Sequence, residues 1–459
     1  MDTNDKMNET ALLVISRQSL GKLKDLLVLA SKQVHKKLYV RIEHEELASL
    51  VPQLYMQSSL FCPNLDVRVM LADRIPEHQK FIGDDRPGKM VIPAKPYHDV
   101  VLGGTFDRMH NGHKTLLSRA ILLGSGTLYC GVTDVAMIQK KSLWELIAPV
   151  EERIEDVQQF VDDVSDNMKC DLFPLDDPFG KSITAPSLQA IIVSAETVKG
   201  GEAVNTKRKE NGLSPVDIDK IELLDAEDEV LNEVKISSST RRREALGSLL
   251  RPPTRPPTAG RPYVIGLTGG IASGKSNIAK YLADQPDFLV IDCDGLAHDA
   301  YSPGSILSQR IREAFDGVVD STGLVDRKKL GAIVFQNPER RLELNGIVWP
   351  ALMQLVQAKI DATDRPIVVV EAAALVEAGW DKEMNELWTV IVPRAEAVRR
   401  VCHRDNATAE QAEARLNAQI DNKSRVDASN VVFCSLWAYE ETRRQVERAL
   451  NQLPLRLKQ

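Results

Sequence analysis

Residues Tyr263–Leu282 read YVIGLTGGIASGKSNIAKYL. The apolar run Val264-Ile265-Gly266-Leu267-Thr268 has the character of a buried strand, and Asn277-Ile278-Ala279-Lys280-Tyr281-Leu282 suits a helix. Between them stands G-x-x-x-x-G-K-S, in the strand, loop, helix order that makes a phosphate cradle. Backbone N–H groups of Gly269, Gly270, Ala272, Ser273 and Gly274 can point at phosphate oxygens, and the following helix adds its positive N-terminal dipole. Lys275 then reaches the β- and γ-phosphates, and Ser276 offers a hydroxyl to Mg²⁺. The alternative, a glycine-rich turn with no ligand, does not account for both correct flanks.

Working outward, Phe288-Leu289-Val290-Ile291-Asp292-Cys293-Asp294-Gly295 reads as a second buried strand that ends in two carboxylates. Residues at strand carboxyl ends of an open α/β sheet face the ligand crevice. One of Asp292 and Asp294 can accept a proton from a substrate hydroxyl or hold the metal through water, unless both simply cap a helix. Val368-Val369-Val370-Glu371 and Trp388-Thr389-Val390-Ile391-Val392 continue the core strands. Arg394, Arg399, Arg400, Arg404 and Arg415 then fall in helical segments, either as a lid over phosphates or as a solvated basic face.

A second strand-to-helix junction lies upstream. Asp99-Val100-Val101-Leu102-Gly103-Gly104-Thr105-Phe106 is followed by Asp107-Arg108-Met109-His110-Asn111-Gly112-His113 and an apolar helix over Thr115–Leu123. Two histidines three apart at a helix start can donate together to one triphosphate, where the dipole favours negative charge. Gly103 and Gly104 permit close backbone approach, and Thr105 adds a hydroxyl and an N–H. A histidine metal pair and plain capping are the competing readings; no carboxylate or third histidine sits nearby in sequence to complete a metal shell. Further on, Ser237-Ser238-Ser239-Thr240-Arg241-Arg242-Arg243 joins hydroxyls that bind phosphate or cap a helix to forked guanidinium donors.

The 459 residues exceed one ordinary core, so two or three domains are expected. Net charge is −7, which gives no global reason to expect nucleic acid as a partner. Six widely spaced cysteines form no C-x-x-C pair, which points to a reducing compartment without structural zinc. The acidic start Met1-Asp2-Thr3-Asn4-Asp5 is unlike a signal or transit peptide, and no apolar run is long enough to span a bilayer. A cytoplasmic protein is expected; peripheral association with mitochondria stays open.

Residues 1–95 show candidate strands at Leu12–Ile15, Leu38–Ile42 and Val67–Leu71, with a helix carrying Leu20, Leu23, Leu26, Leu27 and Ala30. No catalytic constellation is legible there, and His35, His44 and His78 read as surface or turn residues; the region is taken as a small α/β docking or scaffolding element. Arg251-Pro252-Pro253-Thr254-Arg255-Pro256-Pro257 reads as an extended linker. The expected division is therefore 1–95, a Rossmann-like domain over 96–247, a linker over 248–262, and a phosphate-loop domain over 263–459, all of α/β class.

The His110-Asn111-Gly112-His113 junction resembles the nucleotidyltransferase superfamily. With Gly131-Val132-Thr133-Asp134, Lys141, Ala148-Pro149-Val150-Glu151-Glu152-Arg153, Asp176–Gly180, Val193–Thr197 and the Ser-Thr-Arg run, it resembles the eukaryotic-type phosphopantetheine adenylyltransferases. The phosphate loop, Asp292-Cys293-Asp294, Leu344–Pro350, Glu371–Trp380, Arg404-Asp405, Arg415 and Gln419 are similar to the dephospho-CoA kinases. Both in one chain resemble the bifunctional coenzyme A synthases of animals. The resemblance implies two reactions with ATP and Mg²⁺. In the first, His113, Lys141 and Arg242 face ATP phosphates, Gly104, Thr105, Phe106, His110, Ser238 and Ser239 line the nucleotide site, and 4′-phosphopantetheine is converted to dephospho-CoA. In the second, Lys275, Arg404 and Arg415 neutralise the transferring phosphoryl group and Asp292, or Asp294 in its place, takes the ribose 3′-hydroxyl proton, giving CoA.

Overall fold

Apolar strands alternating with amphipathic helices bury both faces of a sheet, and the described residues build three all-parallel sheets. The computed structural model describes residues 8–76, 80–166, 168–221 and 238–457; His78 and Ser237 lie outside them. The chain divides into two units, Met1–Arg242 and Arg243–Gln459.

In the first unit β1 (Asn8–Ser16), α1 (Leu23–Gln33), β2 (Val34–Glu43), α2 (Leu47–Phe61), β3 (Asp66–Val69) and β4 (Lys80–Ile82) form a sheet of order β3-β2-β1-β4. β1, β2, β3 and α1 fall where the hydrophobic spacing puts them, and β4 was not expected. The sequence reading did not resolve α2. Pro52 inside it removes one helical N–H, yet Leu47, Leu50, Val51, Leu54, Tyr55 and Ser58 still make one buried stripe.

The same unit continues with β5 (Asp99–Gly104), α3 (Asn111–Leu123), β6 (Thr127–Thr133), α4 (Val150–Val164), β7 (Lys169–Leu175), β8 (Leu188–Ser194), α5 (Val198–Glu210), β9 (Asp217–Ile221) and the first residues of α6 (Ser238–Ala245), within which the unit boundary falls. Its second sheet has order β7-β6-β5-β8-β9. Strand β5 therefore stands where the winding reverses, the position at which such sheets open a crevice. One hydrophobic core runs from Ala11, Leu27 and Tyr55 through Leu117, Ile121 and Phe160 to Ile192. The first 95 residues thus share their core with the second sheet.

The second unit contains β10 (Tyr263–Gly269), α7 (Lys275–Ala283), β11 (Phe288–Asp292), α8 (Cys293–Ala300), α9 (Ile306–Ala314), α10 (Arg327–Gln336), α11 (Pro338–Ala362), β12 (Ile367–Glu371), β13 (Glu386–Ile391), α12 (Arg394–Asp405), α13 (Ala409–Asn417), α14 (Asn422–Ala428), β14 (Val431–Cys434) and α15 (Tyr439–Arg456). The order β11-β12-β10-β13-β14 puts the strand before the phosphate loop at the centre. The proline-rich stretch is strapped to this unit: Asn430 Nδ2 donates to the Pro252 carbonyl at 2.9 Å and Asn385 Nδ2 to that of Pro256 at 3.1 Å.

Candidate active sites

At the carboxyl end of β5, the chain turns through Phe106 and Arg108, both at positive φ, into α3. Phe106 is fully buried, with its ring packed over Gly104, where a Cβ would meet it at 2.9 Å. Only the backbone of Phe106 is thus left for a ligand. His110 is the N-cap of α3: its Nδ1 accepts the Gly112 N–H at 3.2 Å, which leaves the proton on Nε2, 3.3 Å from the Ser238 hydroxyl. The His113 ring stacks on His110 at 3.9 Å between centroids, and the Phe106 ring lies tilted at 5.1 Å from it.

Burial, with Arg241 and Lys114 nearby, pushes the His110 imidazole down to about 4. His113 is held well below its usual range by burial, then by His110 and Lys141. Both rings are therefore neutral near pH 7 and act as N–H donors. Nδ1 of His113 is buried without a hydrogen-bond partner among the described residues, an atom that a bound anion or water can satisfy. Lys141 is exposed as a residue, but partial desolvation of its ammonium, with Arg242 nearby, lowers its affinity for a proton.

Arg242 differs from its expected place among the phosphate ligands. It is 1 % exposed and pairs with the fully buried Asp107 at 2.7 Å. Its Nε donates to the Ser142 carbonyl and its second terminal nitrogen to Ser239 Oγ. Three of its five donors thus brace the turn before His110 from behind. Arg153, which carried no role in the sequence reading beyond its motif, is also buried; it donates to the carbonyls of Thr105, Thr133 and Ala148 and so fixes the ends of β5 and β6. Thr133 Oγ1 donates to Thr105 Oγ1 at 3.0 Å, which aims the Thr105 hydroxyl. A buried arginine spanning strand-end carbonyls leaves no periodic signal, so spacing could not reveal it.

In the second unit, a cleft of about 750 Å³ opens over the phosphate loop. Gly269 is required by close approach, since a Cβ would stand 2.6 Å from the Val390 carbonyl, and Gly274 lies at φ +84°. The loop is pinned from the side: Gln419 Oε1 accepts the Ile271 N–H at 2.9 Å, Ser435 donates to the Ser273 carbonyl at 2.6 Å, and Arg400 reaches the Ala272 carbonyl. Lys275 Nζ stands 2.6 Å from Glu371 Oε1, and Ser276 Oγ donates to that oxygen at 2.8 Å. Strand register sets Glu371 beside both Leu267 and Asp292. Sequence reading took Glu371 only as a strand end within a family motif.

The two aspartates separate. Asp292 Oδ1 accepts the Asp294 N–H at 3.0 Å, the capping role weighed for the pair, while Asp294 lines the cleft. Burial, with Asp292 and Glu371 adding to it against the pull of Lys275, raises the Asp294 carboxyl above its ordinary range. Among the arginines, Arg399, Arg400 and Arg404 line the cleft with His403. Arg415 pairs with Asp405, as does Arg404 at 2.7 Å, and is absent from the described lining. The hydroxyl of Ser276 beside the Glu371 carboxylate is a hard-oxygen set of the kind Mg²⁺ takes.

Residues 263–435 match the dephospho-CoA kinase family, and residues 101–245 the cytidylyltransferase-like family. The dephospho-CoA kinase of Geobacter sulfurreducens is 38% identical over 188 residues, spanning 40% of this chain and 95% of its own length. The chain belongs to the dephospho-CoA kinase family. That of Symbiobacterium thermophilum is 36% identical over 190 residues, covering 40% of this chain and 79% of the relative. Among solved structures, TT1252 from Thermus thermophilus shares 30% identity, covers 42% of this chain and 98% of its own, and superposes with a TM-score of 0.38. A cytidylyltransferase-like domain therefore precedes the kinase domain of this family member. Among the described residues no helix is long and apolar enough to cross a membrane.

Proposed function

We propose that the chain performs the last two steps of coenzyme A synthesis, as the bifunctional coenzyme A synthases do. What supports this is that one member of the dephospho-CoA kinase family also carries a cytidylyltransferase-like domain, with the stacked His110–His113 pair at the start of a helix within it.

In the first step, the phosphate of 4′-phosphopantetheine attacks the α-phosphorus of ATP and pyrophosphate leaves. The nucleophile is already anionic, so positioning and charge stabilisation suffice. His113 and His110 donate neutral N–H groups, Lys141 brings charge, the Ser238 and Ser239 hydroxyls close the nucleotide side, and Thr105 orients the nucleophile. Arg242 and Arg153 hold these groups in register.

In the second step, the ribose 3′-hydroxyl of dephospho-CoA attacks the γ-phosphorus of a second ATP. A neutral hydroxyl benefits from a base, and Asp294, facing the cleft with a raised carboxyl, is the better placed of the two aspartates. The loop amides and Lys275 hold the β- and γ-phosphates, and Arg404 approaches from the helical lid. Ser276 and Glu371 would hold Mg²⁺, which neutralises charge on the phosphate oxygens when bound. A cytoplasmic location and peripheral association with mitochondria both fit a chain of this kind and belong to this reading.

The test is incubation of the purified chain with Mg²⁺, ATP and 4′-phosphopantetheine, with products followed by mass spectrometry. Appearance of dephospho-CoA and pyrophosphate before CoA and ADP is expected; unchanged phosphopantetheine would refute the acceptor assignment.

A further inference from the structure

The first 95 residues meet the catalytic turn of the first unit directly. At the start of α3, His110 and His113 share one face, and Asn111 and Lys114, each one residue on, share the next. The histidine face holds the stacked rings. The other face is gripped by the N-terminal sheet. Asn111 Nδ2 lies 2.8 Å from the Tyr55 carbonyl, 3.0 Å from Ser58 Oγ and 2.8 Å from Ser59 Oγ, all in the last two turns of α2. Both serine hydroxyls donate to the Tyr55 carbonyl, which turns their lone pairs toward Asn111.

Lys114 is 4 % exposed and donates to the Val67 carbonyl at 3.0 Å and to Asp66, both in β3. Tyr55 closes the circuit, because its hydroxyl accepts the Val69 N–H at 3.1 Å and ties α2 to that same strand. Asp66 is held in turn by Arg68 at 2.8 Å. A docking module on a flexible tether would not place a lysine and an amide of the catalytic turn inside its own hydrogen-bond network, nor share a continuous core with the second sheet.

We propose that the N-terminal α/β region is a positioning element of the nucleotidyltransferase site, with Asn111 and Lys114 as the positioning residues through which α2 and β3 fix the separation and stacking of His110 and His113. Anchoring to two elements, α2 and β3, from positions three residues apart on one face sets both the height and the rotation of the turn. The imidazoles themselves make few other polar contacts, the Gly112 N–H and the Ser238 hydroxyl for His110, so their placement depends on the turn. Small displacements of this kind cost rate rather than affinity, since the ground-state nucleotide is still held by backbone groups.

The inference rests on the adenylyl transfer proposed for this unit, and the full-length chain carries its own control in the kinase reaction. Wild type, Asn111→Ala, Lys114→Met, Lys114→Arg and the Ser58→Ala/Ser59→Ala double variant are assayed for pyrophosphate release from ATP and 4′-phosphopantetheine, and separately for phosphorylation of dephospho-CoA. Wild type that releases no pyrophosphate defeats the functional reading itself. Given wild-type activity, Asn111→Ala and Lys114→Met should lower adenylyl-transfer kcat on the order of 10²-fold with KM for ATP changed by less than about threefold. The serine double variant, which leaves the Tyr55 carbonyl in place, should lower kcat about tenfold, Lys114→Arg should restore most of the Lys114→Met loss, and kinase rates should stay at wild type. Unchanged kcat in Asn111→Ala and in the serine double variant would overturn the proposal. So would losses that track a fall in the melting temperature, since the contacts would then hold the fold and not the turn.

Discussion

The two proposed phosphate sites meet the same electrostatic problem with different materials. In the first unit, the groups proposed to face the phosphates are neutral imidazoles and hydroxyls with Lys141 beside them, and the buried Arg242–Asp107 ion pair holds the turn that carries them. In the second, a lysine sits among the carboxylates Glu371, Asp292 and Asp294. The difference follows the nucleophile. A phosphate that attacks as an anion needs donors that do not bind it too tightly, whereas a neutral hydroxyl needs somewhere for its proton to go.

The sharpest way to break this comparison is to neutralise the carboxylate that faces the cleft. Asp294→Asn should lower the kinase kcat on the order of 10³-fold, because a general base contributes about 10² to 10⁴. Asp292→Asn, which loses a helix cap, should cost less than about tenfold. Equal losses would return the base to an undivided pair. Glu371→Gln should lower the kinase kcat about 10²-fold and raise the Mg²⁺ concentration needed for half-maximal rate, since the charge that pairs with Lys275 and would attract the cation is lost while an acceptor oxygen remains; a flat Mg²⁺ dependence would count against its role.

The neutral-imidazole side of the comparison is open to a pH test. His110 titrates at about 4 when folded and near 6.5 when unfolded. The unfolded chain therefore binds the extra proton first, so stability is full above 6.5 and declines as pH falls toward 4. Between pH 7 and 5 the loss from this group should be on the order of 2 kcal/mol, read from denaturant unfolding of the first unit, and His110→Gln should remove it. A pH-independent difference between the two proteins would mean that the fold leaves the His110 imidazole unshifted, and a difference of the opposite sign that it is charged in the fold. The smallest effect concerns the second loop: Arg400→Ala should raise the KM for ATP about tenfold, through the freed Ala272 and Ser435 carbonyls, and leave adenylyl transfer unchanged.

How much was legible depended on what each residue reports locally. Glycine spacing, Lys275 and Ser276 announce themselves because the loop conformation restricts the sequence at each step. The strand ends at Gly104 and Asp292 followed from apolar runs. The supports did not. Arg153, Arg242 and Arg400 act by reaching carbonyls distant in sequence, and a guanidinium at a phosphate looks the same in sequence as one bracing a turn. Glu371 belongs to the site only because parallel register sets it between β10 and β11. Helix α2 has helical apolar spacing, yet Pro52 masks it, and its bearing on Asn111 is a tertiary fact.

The most direct measurement is a crossed assay of both half-reactions on His113→Ala and Lys275→Met in the full-length chain. His113→Ala should lose about 10² to 10³ in adenylyl transfer and still phosphorylate supplied dephospho-CoA at the wild-type rate. Lys275→Met should release pyrophosphate normally and accumulate dephospho-CoA. Loss of both activities in either variant, or phosphopantetheine untouched by wild type, would contradict two independent sites acting in sequence on one chain.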